Sequence, residues 1–397
     1  MPRIYYFLPG RTDPVSETSA GWRSALPLQR HAARAPFPEN PEFGWTHGVY
    51  FQTARDFLER NRYALLVRAV SSRLKRPVNV AEISLIQITI MKHGAFYHPA
   101  LVQVAGFSEP LFFVLNAAVS KNGKQILHQE FEALARLGQI KGHAAYLPRV
   151  YGQASVPTPS GDTAEMFLGD WFAGFHEFHL SKDNDASAFN LRVWDDVKGH
   201  HFLSDKQSLA VYQQAAGILT SYYNPVTFEQ IFPWHHAAGD FIVREDGFGM
   251  DVRLITVRQY APLFDEGRKT RKESAPLEQV LFGLLIFLLN LSLRMRIDRI
   301  DGTGELVWAK ESALAPVWKG FLEGLRMNRF GMPASNDLIS KFKAYLFQIC
   351  VSDAFELARA AAGGFHPEAA ERELIALHLI DHVAALWAII TQGGGGQ

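Results

Sequence analysis

Cysteine is nearly absent: one residue, Cys350, stands in 397. That excludes an internal disulfide and any zinc site built from several thiolates. Its helical, apolar setting reads as a buried, inert thiol. Net charge is absent too, since forty basic residues are matched by forty acidic ones. A dedicated nucleic-acid binder normally shows a basic excess, so no nucleic-acid partner is expected. Long apolar runs are also scarce. The longest, Val280 to Leu293, covers about fourteen residues before Arg294, Arg296 and Arg299, whereas a bilayer span needs about twenty. A buried helix is the expectation there. The opening MPRIYYFLPG is broken by Pro9 and Gly10, too early for a signal-peptide core. A soluble, cytoplasmic protein without a membrane partner is expected.

What is present is an ordinary globular composition. Hydrophobic residues make up 48% and charged residues 20%, enough apolar surface to bury a large core. Residues 1 to about 48 are rich in Pro, Gly and Arg and read as an extended arm, wrapped or mobile. Apolar residues then recur at helical spacing from Gln52 to Leu74, with Thr53 as N-cap. Val80 to Met91 is β-branched and suits a strand buried on both faces. Ala100 to Val104 returns from it. Phe112 to Ser120 (FFVLNAAVS) follows, closed by a turn at Lys121 to Lys124. Gln125 to Leu137 is an amphipathic helix, and Leu147 to Gly152 and Glu165 to Phe172 are two further strands. Beyond Gly174 to Ser181, a strand-like stretch, the chain is mainly helical. Helices are expected after Ser204, over Pro276 to Met295, and over 336–362 and 367–391. The expected divisions are 1–79 (arm and helix), 80–172 (a small sheet lobe), 173–391 (a helical lobe) and 392–397 (a disordered tail).

One stretch of the helical half departs from it. Trp234 to Arg258 reads WHHAAGDFIVREDGFGMDVRLITVR: a tryptophan, two histidines and an aspartate, then two apolar strands around a Gly- and Asp-rich turn. A polar cluster at the mouth of a hairpin is held rigidly while its loop faces solvent or ligand.

Three strands, a helix, two strands, and then a helical lobe with an isolated hairpin resemble the protein-kinase-like fold. Within it the aminoglycoside and choline phosphotransferase branch is the nearer likeness. FFVLNAAVS with QEFEAL is similar to the lysine-bearing strand and the helix glutamate, LPRVYG to the next strand, and DFIVREDGFGMDVRLITV to the hairpin flanked by metal ligands. The fold class implied is α+β: a two-lobed kinase-like fold with a five-stranded N-lobe carrying one helix. The function implied is binding of ATP or another nucleotide, with Mg²⁺, between the lobes. Mg²⁺ requires hard oxygen ligands beside the phosphates.

Carried over residue by residue, the base position falls on His235 and the metal-binding asparagine position on Asp240. The second metal position falls on Thr256 and the lysine position on Asn116, with Lys121 or Lys124 able to reach in. Glu130 fits the helix glutamate. Gly94 is the one glycine left in the phosphate-covering loop. Each residue has a plainer reading. Asp240 is a metal ligand or a turn cap. His235 is a base, a ligand or structural, and His235 and His236 cannot both point inward in extended chain. Thr256 is a core-edge hydroxyl, Glu130 a solvated carboxylate, and Arg258 a phosphate anchor or one half of a salt bridge. His200 and His201 beside Asp195 and Asp196 read as a surface loop. The resemblance leaves an atypical phosphotransferase or a pseudokinase, the latter with a protein partner.

HHAAGD also resembles the His-His-x-x-x-Asp core of condensation-type acyltransferases. There His236 would be the catalytic base and Asp240 would hold the loop, although Phe241 stands where that family has glycine.

Overall fold

The stretch RIYYF is rich in β-branched and aromatic side chains and is a strand, not a loose arm. β1 (Arg3–Phe7) runs parallel to β2 (Leu85–Ile90), with Arg3 opposite Leu85 and Phe7 opposite Thr89. The computed structural model describes residues 1–26, 45–91, 96–140, 146–159, 161–182, 189–195, 197–235, 239–247, 249–263, 275–302, 304–328, 330, 335–365 and 369–392. Residues 393–397 of the expected tail, Gly94 and Pro367 lie outside them, while Gln392 is the last residue of a helix. The chain divides into two compact units, Met1–Gly138 with Pro148–Ala173, and Gln139–Leu147 with Gly174–Gln397.

In the first unit the short α1 (Ala20–Arg23) and the long α2 (His47–Leu74) precede β2, and α2 is interrupted by non-helical residues at Arg60 to Tyr63. Thr46 caps α2 by accepting the Val49 N–H. Thr53, expected as the cap, lies about two turns inside and donates its hydroxyl to the Val49 carbonyl at 2.7 Å. β3 (His98–Ala105), β4 (Leu111–Ala118), α3 (Lys121–Leu137), β5 (Val150–Pro157) and β6 (Thr163–Asp170) complete the unit. The sheet order is β1-β2-β3-β4-β6-β5, and every pairing after the first is antiparallel. The expected five strands and helix are therefore joined by a sixth strand from the N-terminus. β2 buries every second residue, the signature of one covered face, where burial on both faces was expected. Tyr50, Phe51, Phe57 and Leu58 of α2 belong to the same core as Ile86, Ile88, Val102 and Phe113 of the sheet. Lys121 to Lys124 are the first turn of α3, because the Ser120 hydroxyl accepts the Gly123 N–H and starts the helix.

The second unit opens with a three-stranded antiparallel sheet, β7 (Phe178–Lys182), β8 (Phe189–Val193) and β9 (His201–Phe202). α4 (Asp205–Ser221) begins at Ser204 with a full capping box to Gln207. β10 (Glu229–Ile231), β11 (Phe241–Asp246), β12 (Gly249–Leu254) and β13 (Tyr260–Pro262) follow. β11 and β12 form the expected hairpin, and β10 pairs with β13 on either side of it. α5 (Leu277–Arg294) is buried on nearly all sides, as its unbroken apolar run demands. After the small ribbon of β14 (Ile297–Arg299) and β15 (Leu306–Trp308) come α6 (Leu314–Met327), α7 (Ser335–Leu346), α8 (Val351–Phe365) and α9 (Ala369–Gln392). Three helices thus occupy the region where two were expected. α4 and α6 meet through glycine: a Cβ on Gly320 would sit 2.0 Å from the Gln213 carbonyl oxygen. Cys350 is exposed, not buried. It lies in the turn before α8, where its sulfur accepts the Asp353 N–H.

Candidate functional site

Between β10 and β11, one carboxylate ties the described residues 232–235 to the start of β11. Asp240 is 1% exposed. Its Oδ2 accepts the His235 N–H at 2.8 Å, so the side chain bridges the two ends of the histidine stretch. Arg258, four residues past β12, donates Nη1 to Oδ2 and Nη2 to Oδ1, both at 2.6 Å. A two-toothed guanidinium–carboxylate pair is among the strongest polar contacts a protein makes. The Asp240 carbonyl in turn accepts the Ile255 N–H at 2.8 Å. The aspartate thus fixes the loop, the start of β11 and the exit from β12 together.

A second guanidinium grips the same loop from behind. Arg294, the last residue of α5, donates Nε and Nη2 to the Trp234 carbonyl at 3.2 and 3.0 Å. It lies over the rings of Phe232 and Trp234, at 5.1 and 5.8 Å from their centres. Its Nη1 stands 3.8 Å from Glu371 Oε2 in the first turn of α9, and both side chains are buried. The Trp234 indole is buried edge-on to Phe241. The His235 imidazole, next in the chain, is held below the ordinary histidine range. Burial is the main cause, and the Arg294 charge adds to it against Asp240 and Glu371. A group in that state is a neutral imidazole at neutral pH.

Asp240, Arg258 and His235 are thus brought together. His236 lies outside the described residues. Thr256 is half-buried just beyond β12. In the first unit, Asn116 sits on β4 between Pro99 and Phe167 and is largely buried. Glu130, expected in solvent, is fully buried. Its Oε2 accepts the Tyr97 hydroxyl at 2.6 Å. Lys121 is exposed in the first turn of α3. Lys124 is engaged elsewhere, at 3.2 Å from Asp162.

Magnesium does not fit the Asp240 site, because both carboxylate oxygens are taken by Arg258. Among the described residues no group of three or more His, Cys, Asp or Glu could hold a metal ion. The other histidine cluster is a capped surface turn. Asp195 accepts the N–H groups of Val197 and Lys198, while His201 bonds Glu245.

No family model and no curated protein matches the chain. Among solved structures it is similar to a choline kinase from Cryptosporidium parvum Iowa II, at 9% identity and a TM-score of 0.31. That overlap covers 83% of this chain and 96% of the other. It is also similar to the PknI kinase domain of Mycobacterium tuberculosis, at 13% identity and a TM-score of 0.30, over 65% of this chain and 94% of that domain. The chain is mixed α+β, with α3 between β4 and β5 of the sheet in the first unit and a mainly helical second unit that carries the β11–β12 hairpin; overlaps this loose add nothing to that.

Three residues at these sites were not singled out from the sequence. Tyr97 follows a loop whose course the sequence leaves open. Arg294 ends an apolar helix and reads there only as the charge that stops it. Glu371 reads as a first-turn carboxylate favoured by the helix dipole.

Proposed function

We propose that this protein is a kinase-like binding module of the pseudokinase kind. Its ligand is a nucleotide or related small molecule taken up without a divalent metal, and it does not transfer phosphate. The observation that carries the reading is the Arg258 clamp on Asp240. Phosphoryl transfer in this fold rests on oxygen ligands that hold magnesium against the phosphates. Three of the four lone-pair sites of this carboxylate are taken, two by Arg258 and one by the His235 N–H, and the guanidinium charge against both oxygens opposes a divalent cation there. Asn116 in the lysine position points the same way, since an amide supplies no cation to a phosphate.

The test is the thermal stability of the full chain with ATP, ADP or GTP, each in Mg²⁺, Mn²⁺ or EDTA, alongside phosphate release. The expected result is a nucleotide-induced rise in Tm that EDTA leaves unchanged, with no phosphate release above background. A rise that requires the metal and is lost in Asp240→Asn would overturn the reading.

One observation favours the acyltransferase reading: Asp240 holds the loop, the role that resemblance implies for it. The mainly helical chain after the hairpin departs from that family. Acyl transfer from a coenzyme A thioester, abolished by His236→Ala, would establish it.

A further inference from the structure

The buried pair behind the loop has no part in the reading above. Arg294 and Glu371 are both about 95% buried or more, on helices whose sequence positions are far apart. Removing a buried charge pair in favour of apolar residues is often neutral or stabilising, so stability alone is a weak account of it. Its geometry is specific. Two N–H groups of Arg294 converge on a single carbonyl, that of Trp234, and the peptide they hold is the one that leads into His235. The opposite edge of the same guanidinium faces Glu371.

We infer that Arg294 and Glu371 are positioning residues for His235, coupling the C-terminal helix α9 to the conformation and charge of the histidine loop. Among the described residues, the charges that act on the imidazole are Arg294 from α5, Asp240 from the loop itself, Glu371 from α9 and Arg258 from beyond β12. Arg294 acts most strongly of these charges and opposes the imidazolium, while Asp240 and then Glu371 favour it and Arg258 has the smallest effect. A displacement of α9 that withdraws Glu371 leaves Arg294 opposed by Asp240 alone and holds the imidazole neutral more firmly. This coupling holds whether or not the pseudokinase reading does, because it concerns the state of His235 and not its ligand.

The experiment is a pH titration of the imidazole by NMR in the full chain, with His235 assigned by its loss in His235→Gln. In the unaltered protein His235 should titrate below the ordinary histidine value. Glu371→Gln should lower the midpoint further and Arg294→Gln should raise it, each by roughly half a pH unit or more. Glu371→Asp, which keeps the charge, should return the midpoint close to that of the unaltered protein. A merely structural pair gives a different result. Both Gln variants would then loosen the burial and move the midpoint upward together. That outcome, or two unmoved midpoints, would overturn the inference. Should Arg294→Gln fail to fold, Glu371→Gln decides alone: a lower midpoint supports the coupling, and a higher or unchanged one sinks it.

Discussion

Glu130 in the first unit and Asp240 in the second are both buried carboxylates, and their partners differ in kind. A phenol donates one hydrogen bond to Glu130, whereas a guanidinium covers both oxygens of Asp240. Each stands where the kinase resemblance asks for a group that serves phosphate or metal, and each has been turned inward to serve the protein. A neutral donor satisfies hydrogen bonding alone. An arginine also cancels charge, and so closes the site to a competing cation. The first arrangement is local packing, and the second is a lock.

The comparison breaks most sharply at the lock. Asp240→Ala strands Arg258 and the His235 N–H, and the full chain should lose about 3–5 kcal/mol in chemical denaturation. A loss below about 1 kcal/mol would mean that the pair is not formed in solution.

A third buried acid sharpens the contrast, because a backbone amide holds it. Asp298 Oδ2 accepts the Leu180 N–H at 2.7 Å. Burial pushes its pKa up to about 6, against the Leu180 and Arg299 N–H bonds and His179. A carboxyl whose folded pKa exceeds its unfolded value binds its proton more tightly in the native state. Its contribution is therefore fully present below about pH 4 and lost as the pH rises through about 6, at most about 3 kcal/mol in all. Unfolding free energies across pH 4 to 7 should show this component in the difference between the unaltered protein and Asp298→Asn. A flat difference would place Asp298 in water.

Smaller effects belong to the first unit. Tyr97→Phe leaves Glu130 without its phenol and should lower stability by about 1–2 kcal/mol, read from the midpoint of urea unfolding. Lys124→Met removes a surface pair with Asp162 and should change stability by less than about 1 kcal/mol. If Lys124→Met costs more than Tyr97→Phe, then Lys124 and not Tyr97 is the partner that matters to this helix.

Much of the fold was legible because it rests on local pattern. Ser204 followed by Gln207 marks a capping box, and α4 starts there. The apolar stretches on either side of the Gly- and Asp-rich turn at Glu245 to Gly249 mark a hairpin, and β11 and β12 pair as one. The unbroken apolar run from Val280 marks a buried helix, and α5 is one. Misplacements arose where the local signal was ambiguous. Lys121-Asn122-Gly123-Lys124 has the composition of a turn, but Ser120 before it caps a helix. RIYYF has strand character, yet nothing nearby in the chain is its partner, since it pairs with residues about eighty positions away.

The candidate site divides along the same line. The sequence by itself determined that a tryptophan, two histidines and an aspartate precede a hairpin, and that one cysteine and no net charge narrow the chemistry. It also set Arg258 as either an anion anchor or half of a salt bridge. Only the tertiary structure decided between those, because the 2.6 Å contacts with Asp240 depend on how β12 returns beside the loop. Only it placed Arg294 and Glu371 behind His235. Hydrogen bonds and caps act over a few residues and leave a trace in sequence order, whereas charge pairing acts through space between segments that only folding brings together.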